Sequence, residues 1–159
     1  MVTAARLGAP PGTSLKSLVT GFVLTKQTEG KSPRTVEFYS KNLKRFLWYV
    51  QRQEWPDDIR MLTEWHIRAF LNYVANETNR WGLEGNGSET AQHKVTHTTV
   101  HHYFVVLATF FGWVVREGFL SKEKGRKILK VQNLSKHYNK EVIKFLRNME
   151  KELEMGAMH

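Results

Sequence analysis

SPRTVEFYSKNLKRFLWYVQRQ, residues 32–53, decides the fold. Serine followed by proline starts a helix, because a hydroxyl can cap the first turn and the missing proline N–H costs nothing at the first helical position. Val36, Tyr39, Leu43, Phe46, Leu47 and Val50 then recur at helical spacing and, at about 100° per residue, gather on one side of the cylinder. On the same wheel Arg34, Lys41, Arg45 and Arg52 fall within about 40° of one another, opposite the apolar stripe. Phe38, Trp48 and Tyr49 flank them. Such a basic stripe can track phosphates, and cations with exposed rings beside them are less usual for a plain solvated face, although packing against another helix also accounts for the rings.

Further helices lie on both sides of this stretch. Toward the N-terminus, Leu15, Leu18, Val19, Phe22 and Val23 keep helical spacing behind Thr13 and Ser14, either of which can cap, and the pattern fades at Glu29 and Gly30. Toward the C-terminus, Trp55-Pro56-Asp57-Asp58 breaks the chain. Thr63 then caps a third helix carrying Ile67, Phe70, Leu71 and Val74 and ending near Asn79. Residues 80–96 are polar and contain Gly82, Gly85, Asn86 and Gly87, which predicts a long loop.

A fourth helix over about 98–117 carries Val100, Phe104, Leu107, Phe111 and Val114, with Tyr103, Val106, Phe110 and Trp113 beside them. So apolar a circumference marks the central core helix. Gly118 closes it, and Ser121 caps a short lysine-rich fifth segment reaching about residue 131. A last amphipathic stretch starts at Asn139, with Val142, Leu146, Met149 and Leu153 on one face. The expectation is an all-α bundle of four to five short helices plus a C-terminal helix. The division is a tail at 1–13, a domain at 14–131, a linker and helix at 132–155, and an appended scar at 156–159.

Composition narrows the function. The 159 residues hold 24 Lys+Arg against 15 Asp+Glu, a net charge of +9, and no cysteine. A disulfide framework and thiolate metal sites are therefore excluded, and the expected location is cytoplasmic. The longest mostly apolar run, 103–115, falls short of the roughly 20 residues a membrane span needs, so no membrane partner is expected. Positive charge concentrates at the ends: 10 basic against 5 acidic residues in 1–60, 4 against 5 in 61–120, and 10 against 5 in 121–159. A polyanion is the first partner to consider.

Two motifs resemble the core-binding, SAM-like N-terminal domain of phage-type integrases, the tyrosine recombinases. The first is Ser32-x-x-Thr35-x-x-x-Tyr39-x-x-x-Leu43-x-x-Phe46, similar to that family's second helix. The second is Thr99-Val100, then Leu107-x-x-Phe110-Phe111-x-Trp113, then Glu117-Gly118-Phe119-Leu120, similar to its fourth helix and exit. Together they cover roughly 14–131. The resemblance implies a module that clamps double-stranded DNA for integration or recombination and, in the full-length protein, joins an oligomeric recombination complex. It also implies that the second and fourth helices meet the duplex at their starts. Backbone N–H groups and the helix dipole favour phosphate there, and the expected contacts are Lys31, Ser32, Arg34, Thr35, Lys41, Arg45, Arg52, Lys94, Thr96, His97, Thr98, Thr99, His101 and His102. The chain departs from the family after Leu120, where Ser121-Lys122-Glu123 stands in place of the usual Asn-Pro, and in its longer 80–96 segment.

The family's cleavage chemistry belongs to a C-terminal domain, with a tyrosine nucleophile among arginines, a lysine and histidines. This chain has no His-x-x-Arg, and Tyr39, Tyr49, Tyr73, Tyr103 and Tyr138 lack a nucleophile's setting. No catalytic residue, no enzyme activity on this chain and no cofactor are expected, and the segment from Asn139 resembles the opening helix of the missing domain or, alternatively, packs on a neighbouring subunit in an assembled complex. His93, His97 and His101 are spaced four apart, yet His-Glu-x-x-His is absent and no thiolate is available, so they read as DNA-facing groups and not as metal ligands. Binding would then strengthen as pH falls through the ordinary imidazole range. The competing readings are a helical protein-interaction module with a basic solubilising surface, and a helix-turn-helix factor, which the long segment before helix four disfavours.

Overall fold

The computed structural model describes residues 11–82 and 94–130. Five helices follow in order: α1 Leu15–Thr28, α2 Pro33–Arg52, α3 Glu64–Asn76, α4 His97–Arg116 and α5 Lys122–Ile128, with 3-10 turns at Pro11–Thr13 and Ile59–Met61. No strand occurs among the described residues, as the all-α reading expects. The last stretch from Asn139 and the loop histidine His93 lie outside the described residues.

Each helix starts on a hydroxyl. Ser14, Ser32, Thr63, Thr96 and Ser121 are the N-caps, each accepting from a backbone N–H two or three residues on. The first cap is reinforced from a distance. Asp57, in the turn after α2, accepts from the Ser14 hydroxyl at 2.7 Å and from the Lys16 N–H at 2.9 Å. A carboxylate at a helix start also opposes the positive end of the dipole.

Core formation follows from α4, which packs against α1, α2, α3 and α5. Residues from Tyr103 to Phe111 are buried without interruption, so the helix turns every side toward a neighbour. In length and composition α4 would suffice to cross a membrane, but most of it is buried in the bundle, where its apolar surface meets protein. Phe22 of α1 is fully buried and meets Tyr39, Phe110 and Trp113 edge-on at 5.5–5.7 Å. Phe46 and Phe70 join α2 to α3 at 5.0 Å. Such pairs add about 0.5–1.5 kcal/mol each beyond the area they bury.

Three boundaries differ from expectation. α3 ends at Asn76, not near Asn79, because Glu77 turns extended and its carboxylate accepts the Thr78 and Asn79 N–H groups at 3.0 and 3.1 Å, replacing helical partners. α4 begins at His97, one residue early, since Thr96 takes the cap. α5 ends at Ile128, ahead of residue 131. In addition Pro11–Thr13, read as tail, form a turn packed on α1, with Gly12 lying against the Phe119 ring.

The largest departure is at Arg80 and Trp81, read as the beginning of a polar loop. Both are buried, at 4% exposure. Trp81 adopts φ 72°, a left-handed conformation that costs a non-glycine residue about 1–2 kcal/mol. The turn places its indole among Trp48, Phe70, Tyr73 and Tyr103, and its backbone N–H donates to the Tyr73 hydroxyl at 2.9 Å. Burial of so large a ring offsets the strain.

Candidate functional site

The two helix starts singled out from sequence are built alike. At α2 the Ser32 hydroxyl oxygen accepts the Thr35 N–H at 3.2 Å, while its proton goes to the Thr35 hydroxyl at 2.9 Å. At α4 the Thr96 hydroxyl accepts the Thr99 N–H, and the two threonine hydroxyls lie 3.3 Å apart. Phe38 and His102 link the two helices, their rings 6.4 Å apart and nearly perpendicular. Lys31, Ser32, Arg34, Lys94, Thr96, His97, Thr98 and His102 are exposed, whereas Thr35, Thr99 and His101 are half-buried.

An open groove of about 850 Å³ runs along α2. Lys31, Lys41, Lys44 and Arg45 are among its lining residues, with Glu37 the only acidic one among the described residues and Trp48 and Trp81 contributing rings. Lys44 was missed on the helical wheel, because it falls about 60° from Lys41 and outside the narrow stripe. Its place one turn after Lys41 was the available signal.

The stripe itself divides. Arg34 and Lys41 are exposed. Arg52 is exposed too, but its guanidinium lies over the Trp48 ring at 5.4 Å. Arg45 is half-buried: it donates to the Tyr103 hydroxyl at 2.7 Å and lies over the Trp81 ring at 5.2 Å. The flanking rings divide as well. Phe38 stays 40% exposed, Trp48 is half-buried, and Tyr49 turns inward to 7% exposure against Phe70 and Tyr73. The physical reason is that α2 packs against α1 and α4 and meets α3 through the Phe46 and Tyr49 rings, so its buried arc reaches Asn42 and Tyr49 and is wider than one apolar stripe suggests.

Electrostatics follow burial. Desolvation pushes the Tyr103 phenol above its ordinary range, with Arg45 beside it pulling the other way. Arg80, whose guanidinium donates to the Glu77 carbonyl at 2.6 Å, is pushed below the usual arginine value by its own burial. Among the described residues no three His, Asp or Glu side chains gather as a metal site.

Residues 18–119, from α1 to the exit of α4, match the family phage integrase, N-terminal SAM-like domain. No curated protein and no solved structure matches.

Proposed function

The chain belongs to the phage integrase N-terminal SAM-like family, and from that premise we propose that it binds duplex DNA along the α2 groove and at the adjoining start of α4, holding the duplex for a reaction centre located elsewhere. The observation that carries this reading is the groove, where among the described residues Lys31, Lys41 and Lys44 outnumber the carboxylate of Glu37. Lysines in a row along a helix neutralise successive phosphates and release their counterions, and this needs no base recognition. The capped starts of α2 and α4 add backbone donors and hydroxyls, and the exposed His97, Thr98 and His102 supply further polar contacts.

The test is duplex affinity measured against salt. Binding should weaken steeply from low to moderate salt, by about 0.9 in log K per log salt for each phosphate neutralised. Charge reversal at Lys31, Lys41 and Lys44 together should abolish it. Absence of duplex binding at low salt overturns the proposal. The reading that would then stand is a protein-interaction module, favoured by Trp65 and Met61, which are 67% and 55% exposed beside a cleft lined by Leu62 and Ile128.

A further inference from the structure

Arg45 differs from the lysines it shares the groove with. Its guanidinium does two things at once, donating to the Tyr103 hydroxyl at 2.7 Å and covering the Trp81 ring at 5.2 Å. Tyr103 and Trp81 are 5% and 4% exposed. A guanidinium that left them for a phosphate would strand a buried phenol and uncover a buried indole. Tyr103 sits in the second turn of α4, directly after His102, whose ring meets Phe38 of α2. Trp81 closes the exit of α3, held by the Tyr73 hydroxyl on its N–H, and the next residue, Gly82, presses on the Trp48 ring so closely that a Cβ there would stand 3.2 Å from it. One side chain of α2 thereby touches both the segment that follows α3 and the second turn of α4.

We propose that Arg45 is a positioning residue for DNA binding: through Tyr103 and Trp81 it fixes the start of α4 against α2, so that the α2 groove and the α4 start meet one duplex in register. This rests on the DNA-binding reading above, but it assigns Arg45 a role opposite to that of Lys41. Lys41 is a charge for phosphate. Arg45 is a planar clasp whose charge serves the fold of the site, and a lysine cannot replace it because an ammonium has no plane to stack while it donates.

The test compares the wild-type chain with Lys41→Gln, Arg45→Lys and Tyr103→Phe, at a temperature where circular dichroism shows each to be folded, by duplex affinity across a salt series and by amide hydrogen exchange. Lys41→Gln should lower the salt slope by about 0.9. Arg45→Lys should leave the slope unchanged yet bind roughly tenfold more weakly, and Tyr103→Phe should share that loss although Arg45 keeps its charge. A variant that merely lost stability while remaining folded would show no such affinity loss. Amides from Val100 to Phe104 should exchange faster in Arg45→Lys and not in Lys41→Gln. Wild-type affinity in Arg45→Lys, or a wild-type affinity in Tyr103→Phe, overturns the proposal. If the wild-type chain fails to bind duplex, the DNA reading falls and the exchange data alone decide the clasp: unchanged exchange in Arg45→Lys removes it.

Discussion

The starts of α2 and α3 follow one plan in opposite surroundings. Both open on a hydroxyl cap whose partner is the third helical residue. At α2 that partner is Thr35, the neighbourhood is exposed and cationic, and nothing in the cap titrates. At α3 it is His66, whose Nδ1 accepts the Thr63 N–H at 2.9 Å and whose ring meets Trp55 edge-on at 4.5 Å. A glutamate or glutamine usually fills that position. One capping geometry thus closes on a hydroxyl at the exposed, cationic start of α2 and on a titratable imidazole at the start of α3.

The largest perturbation should erase the difference. Phe70 of α3 joins the two helices, touching Phe46 and Tyr49 of α2 as well as Trp81 and Tyr103. Phe70→Ala should cost about 3–5 kcal/mol, and both helix starts should melt in one transition when followed by denaturant unfolding. Separate transitions would show the two ends to be independent units.

Gly125→Ala should be next. A methyl there overlaps the Val115 side chain where α5 crosses α4, so the expected loss is about 1–3 kcal/mol. Since α5 packs on α3 and α4, hydrogen exchange should rise around Thr63 and Trp65 and stay unchanged around Thr35. An equal rise at both would contradict the distinction.

Removing the caps sharpens it further. Ser32→Ala and Thr63→Ala should each destabilise by about 1 kcal/mol, but only Ser32→Ala should also weaken duplex binding.

The smallest effect is in pH. Burial alone holds the His66 imidazole below its ordinary value. The unfolded chain therefore takes up that proton first on acidification, so the stability His66 contributes is complete above the ordinary imidazole range and is lost as pH falls through it. Protonation also removes the acceptor on which the Thr63 N–H depends. Thermal unfolding followed from pH 8 to 5.5 should show a decline that His66→Gln reduces, while Thr35→Val leaves the pH dependence as it is. An unreduced decline in His66→Gln would remove His66 from the account.

Most of the architecture was legible because each helix announces itself locally. Ser32-Pro33, Thr63 and Ser121 sit directly before apolar periodicity, and a cap acts over three residues. The buried face of α4 was legible for the same reason, as its apolar residues surround the helix. What escaped the sequence acts over long separations. Asp57 caps a helix more than 40 residues earlier, and Arg45 finds Tyr103 58 residues away. No local pattern separates Arg45 from Lys41, since a wheel records where side chains leave a helix and not what awaits them. Trp81 was obscured by its polar neighbours Asn79, Arg80 and Gly82, although a tryptophan in so polar a run was a hint that it is buried.

The five tryptophans give this partition an optical form. Trp81 and Trp113 are buried, Trp48 and Trp55 half-buried, and Trp65 is mostly in solvent. Trp65 should therefore account for most of the emission that a dissolved collisional quencher removes. Trp55, edge-on to His66, should dim as that imidazole gains its proton. Trp81, under the Arg45 guanidinium, should shift its emission when the clasp is altered, so the chain carries native fluorophores at the very joints on which its two ends differ.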